Sequence, residues 1–131
     1  MNTNIQKSAL WLALFATSTA HSDILINETD ADNPSTDTAE FIELFDGGLG
    51  NQPLDGFNLV FYNGSSDTSY FSQSLDGLTT NNDGYFVLCG DAAQVANCDL
   101  DVSPNSNLIQ NGADAVALYV AAESAFLMAR V

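Results

Sequence analysis

Basic side chains are almost missing from this sequence. Lys and Arg together number 2 against 17 Asp and Glu, for a formal net charge of -15 over 131 residues. Nucleic acid and anionic membrane are therefore not expected as direct partners, because binding either one relies on Lys or Arg to displace counterions. Histidine occurs once, at His21, which removes the usual base for a Ser or Cys nucleophile. Long apolar runs are missing too, since the stretch Ala9 to Ala16 is too short to span a bilayer. What remains is a chain with 46% hydrophobic and 10% aromatic residues, a folding composition of single-domain length.

The few basic residues are placed informatively. The opening MNTNIQKSALWLALFATSTAHS has one cation, Lys7, then the apolar run, then small polar residues. That order is the one found in a secretory signal peptide, so residues 1-22 are expected to be removed, with cleavage after Ala20 or Ser22. All 17 acids lie from Asp23 onward, and removal of the leader leaves Arg130 as the last basic side chain. The expected location is secreted, extracellular or periplasmic, with residues 23-131 forming one domain. A surface so anionic stays soluble and attracts divalent cations.

Cysteine is equally sparse. Cys89 and Cys98 are the two in the chain, and an even count in an exported protein favours a disulfide between them. Zinc is the poorer reading, because two cysteines without a usable histidine give too few soft ligands.

From Asp23 onward, short apolar runs alternate with Gly, Asn, Asp and Ser clusters at the spacing of an all-β sandwich. The pattern predicts strands at Ile24 to Glu28, Glu40 to Phe45, Asn58 to Tyr62, Ser69 to Ser74, Tyr85 to Cys89 and Ala115 to Val120. Turn chemistry separates them at Gly47-Gly48, Asp55-Gly56, Asn63-Gly64, Asp76-Gly77 and Asp83-Gly84. Leu-Asp-Gly occurs twice, at Leu54 to Gly56 and Leu75 to Gly77, and reads as reused turn chemistry.

Two glutamates inside Glu40-Phe41-Ile42-Glu43-Leu44-Phe45 raise the question of acid catalysis. Strand alternation sends Glu40 and Glu43 to opposite faces, so they do not form the facing pair that a glycosidase requires. Gly47-Gly48-Leu49-Gly50 follows an acidic residue and opens no helix or P-loop lysine, which argues against a phosphate site. No catalytic residues are expected, and the chain as it stands is not read as an enzyme.

Four blocks together resemble the bacterial lamin-tail domain family: ILINETDADNPSTDTAEFIELFDGG, LDGFNLVFYNGSSDTSY, DGYFVLCGD and NLIQNGADAVALY. The resemblance covers Ile24 to about Tyr119. It implies an immunoglobulin-like antiparallel β-sandwich acting as a non-catalytic extracellular module for attachment or protein interaction. An alternative it implies is the N-terminal accessory part of a secreted nuclease or other hydrolase whose catalytic domain is absent here. The family continues past Ala117-Leu118-Tyr119 into at least one more strand, whereas this chain reads VAAESAFLMARV, so a sandwich incomplete at its C-terminus is expected.

The stretch Asn27 to Asp37 is the candidate ligand site. Oxygen-bearing side chains at alternating positions suit calcium, with Asp30, Asp32 and Asp37 as the ligands; no other cofactor is implied. The loop does not match an EF-hand, because Ser35 follows Pro34 where a glycine belongs. A solvated loop ordered by Asx turns is the competing reading.

Overall fold

A computed structural model describes residues 23-120. The expected signal peptide and the segment after Val120 both lie outside the described residues. Among the described residues there are seven strands: β1 (Leu25–Asp30), β2 (Phe41–Phe45), β3 (Phe57–Asn63), β4 (Thr68–Ser74), β5 (Tyr85–Cys89), β6 (Leu100–Asp101) and β7 (Asp114–Val120). They form two sheets, ordered β1-β2-β5-β6 and β4-β3-β7, packed as an immunoglobulin-like β-sandwich. All pairings are antiparallel except β5 with the two-residue β6, which is parallel. The six expected strands are recovered within two residues at either end; β6 is too short to leave a period in the sequence.

Alternation sets the core. On β2 the even positions Ile42 and Leu44 are fully buried, and on β3 the odd positions Phe57, Leu59 and Phe61 turn inward. Phe86 and Leu88 of β5 complete the inner layer, and Leu54, Leu75, Leu108 and Ile109 close it from the connecting loops. Phe61 stacks on Phe71 at 4.6 Å and meets Tyr70 edge-on at 6.0 Å, contacts worth about 1 kcal/mol each beyond burial.

Strand β5 departs from alternation because both of its faces are covered. Val87 and Cys89 point outward, yet they are buried beneath the 90-98 loop, where Val95 joins them in a second small cluster with Ala39, Phe41 and Cys98 at its edge. The Cys89–Cys98 disulfide ties this loop down, with a Cα separation of 5.8 Å. Asp99 fixes its far end by accepting from the Val87 amide at 2.8 Å.

Strand β1 carries a further irregularity. Ile26 pairs with Leu44 and Glu28 pairs with Glu43, so Asn27 is an extra residue, a β-bulge. A bulge shifts the side-chain alternation that follows it. Ile26 faces the core, and Glu28 and Asp30 turn to the outer face of the sheet.

Candidate functional site

The glutamates of β2 part as alternation requires. Glu40, immediately before the strand, lies on the core side with 1% of its surface exposed, and Glu43 lies on the outer face. The Glu40 carboxylate accepts from the amides of Leu108 at 2.6 Å and Ile109 at 3.2 Å, pinning the loop before β7 across the end of the sandwich. Burial pushes its carboxyl above the ordinary value. The two amides pull it down, and the charges of Asp37 and Asp30 add to the rise.

Asp46 continues the same inward row and is 2% exposed. The Gly47-Gly48-Leu49-Gly50 loop wraps around it: the Gly48 and Leu49 amides donate to Oδ1, both at 2.9 Å, and the Gly50 amide to Oδ2 at 3.0 Å. The Thr80 hydroxyl donates to Oδ2 at 2.7 Å. Burial pushes this carboxyl up as well, but Thr80 and the three amides outweigh it and hold the carboxyl below its ordinary value. The glycine-rich loop thus does cradle an anion, the chain's own Asp46. Gly84 closes the cradle: its φ is +91°, and a Cβ there would lie 2.2 Å from Asp46 Oδ1.

The two Leu-Asp-Gly copies face each other. Asp55 Oδ1 accepts from the Gly77 amide and Asp76 Oδ1 from the Gly56 amide, each at 2.7 Å, so the turns before β3 and after β4 brace one another reciprocally.

In the acidic loop, Asp37 is 5% exposed and acts as an acceptor: Oδ1 takes the Asn33 amide at 2.9 Å and Oδ2 takes the Asn111 side-chain amide. Asp30 Oδ1 accepts from Asn33 Nδ2 at 3.1 Å, and more weakly from the Asp32 amide at 3.4 Å. These are Asx-type bonds that order the loop. Among the described residues, no three acid, cysteine or histidine side chains are grouped so that they could hold a metal ion, and Asp30, Asp32 and Asp37 are not brought onto one centre.

A concavity of about 550 Å³ lies on the outer face of the four-stranded sheet. Its floor is Phe41 and Val87 with Tyr85, whose ring stacks on Phe45 at 4.7 Å. The disulfide-tied loop forms one wall through Gln94 to Asn97. Carboxylates rim it: Glu28 and Asp30 from β1, Glu43 from β2, and Asp83 from the turn before β5. Glu43 Oε1 accepts from Asn27 Nδ2 at 2.7 Å, so the bulged residue orients it. Of these groups, the strand pattern singles out Glu43, on the face opposite Glu40.

Two packed sheets with an immunoglobulin-like arrangement define an all-β sandwich protein. Compared against protein-family models, curated proteins and solved structures, the chain finds no match in any of the three. Among the described residues, no helix is long and apolar enough to cross a membrane.

Proposed function

We propose that this chain is a non-catalytic, exported module of lamin-tail type that serves in attachment or protein interaction outside the cytoplasm. The observation that carries the reading is the use made of the buried acids. Glu40 and Asp46 spend their oxygens on backbone amides and one threonine hydroxyl, which holds loops to a sandwich rather than presenting a reactive carboxyl to a substrate. The disulfide fits an oxidising compartment, the leader pattern fits export, and the four sequence blocks resemble the lamin-tail family. The open face left after these structural duties is a concave, anionic surface with an aromatic floor, suited to binding.

Fractionation of cells expressing the full chain tests this reading. The expected product is a shortened chain that starts after Ala20 or Ser22, carries the disulfide, and is recovered outside the cytoplasm bound to surface material. Full-length, reduced protein confined to the cytosol would overturn it.

A further inference from the structure

We propose that the concave outer face of the four-stranded sheet is a docking site for a basic segment of a partner protein. Lys or Arg stems lie on Phe41 and Tyr85, and their charged ends lie among Glu28, Glu43, Asp30 and Asp83. The proposal deepens the interaction-module reading and rests on it.

The charge arrangement comes first. The Asn27 bulge sets Glu28 directly across from Glu43 on adjacent strands, and both line the cavity. Like charges in opposed cross-strand positions destabilise a sheet. From Asp23 to Val120 the sequence contains no Lys, Arg or His, so no cation of the described domain compensates the pair, and the neutral Asn27 amide is the donor that reaches Glu43. Six other acids among the described residues have structural duties: Asp37, Glu40, Asp46, Asp55, Asp76 and Asp99 each accept a backbone amide. The Glu28 and Asp83 side chains accept no hydrogen bond from the described residues. Their charge is left for a cation from outside.

The floor decides what kind of cation. A hydrated metal ion gains nothing from Phe41, Tyr85 and Val87, and no three-ligand group is present among the described residues. A Lys or Arg side chain buries its methylenes against such a floor, interacts with the ring faces and keeps its charged end among carboxylates. The 90-98 loop that walls the cavity is held by the disulfide and by Val95 packed on Val87 and Cys89. A wall fixed in advance reduces the ordering cost of binding.

Titration calorimetry on the oxidised full chain, with a capped Gly-Arg-Gly-Arg-Gly-Arg peptide at about 0.15 M salt, tests this while screening long-range attraction. Its citrulline counterpart, identical in shape and uncharged, is the control. Two double variants remove equal charge: Glu28→Gln with Glu43→Gln inside the cavity, and Asp23→Asn with Asp67→Asn outside it. The arginine peptide is expected to bind with one-to-one stoichiometry, and the citrulline peptide is not. The first double variant should weaken binding by about tenfold or more, whereas the second changes it less than about twofold. The first should also melt no lower than the parent, since it relieves the opposed charges, which separates lost binding from lost folding. No binding, equal weakening by both double variants, equal affinity for the citrulline peptide, or displacement of the arginine peptide by micromolar calcium would each overturn the proposal. Export and surface attachment are read in cells. An exported, surface-bound chain that ignores the arginine peptide overturns the docking site alone.

Discussion

Asp46 shows how one residue can organise a region. Its carboxylate gathers three loop amides and the Thr80 hydroxyl at the end of β2. Replacement by Ala would leave these donors without their acceptor in a site that is 2% exposed. We expect Asp46→Ala to cost about 3 kcal/mol, measured by chemical denaturation, with Asp46→Asn intermediate because it keeps one acceptor oxygen. Because the folded carboxyl is held below its ordinary 3.8, its contribution is present above that pH and is lost as pH falls through the folded value. Glu40 acts in the opposite sense. Its folded value lies above the ordinary 4.5, so its contribution is present below pH 4.5 and is lost as pH rises through the folded value. Stability measured against pH should therefore show Glu40→Gln furthest below the parent in acid, with the gap narrowing as pH rises. A gap that widens toward neutral pH would contradict the burial effect assigned to Glu40. The single amide oxygen of the glutamine side chain could accept from only one of the Leu108 and Ile109 amides, so some deficit, on the order of 1 to 3 kcal/mol, should be visible in acid.

At the scale of elements, the disulfide loop and the bulge in β1 shape the outer face of the four-stranded sheet. Cys89 and Cys98 lie 9 positions apart, and closing so short a loop stabilises the fold by about 2 to 3 kcal/mol in the chain-entropy model. Cys89→Ser with Cys98→Ser should lower stability by that amount and also loosen the cover over Val87, seen as faster amide exchange in β5. Unchanged exchange there would show that Val95 holds the loop without the bridge. Much of this is legible in the sequence. Alternation in Glu40 to Phe45 puts Ile42 and Leu44 on one face and parts the two glutamates, and the cysteine count gives the bridge. Carrying the same alternation one step further reaches Asp46, the clue to a buried carboxylate that reading its loop only for glycines misses. Glu28 is not legible: straight alternation from Ile24 and Ile26 puts it in the core, and only the extra residue at Asn27 turns it outward. Nor is the facing of the two Leu-Asp-Gly turns, because reciprocal bonds between Asp55 and Gly77 and between Asp76 and Gly56 depend on how β3 and β4 pair.

For the molecule as a whole, the acid excess has two uses that composition cannot separate. One set of carboxylates accepts backbone amides at loops and turns of the sandwich. The other rims the outer cavity and faces outward. Export of the folded module and engagement of a partner through its surface are the core of the proposed function. Site-specific photo-crosslinking in intact expressing cells tests it most directly, with the crosslinking residue placed in turn at Leu49, Ala96 and Tyr119, three exposed positions spread over the domain. A discrete adduct between the processed, exported chain and a defined extracytoplasmic protein is expected from at least one position. Exported protein that forms no adduct from any of the three, or adducts formed only by unprocessed chain in the cytosol, would contradict it.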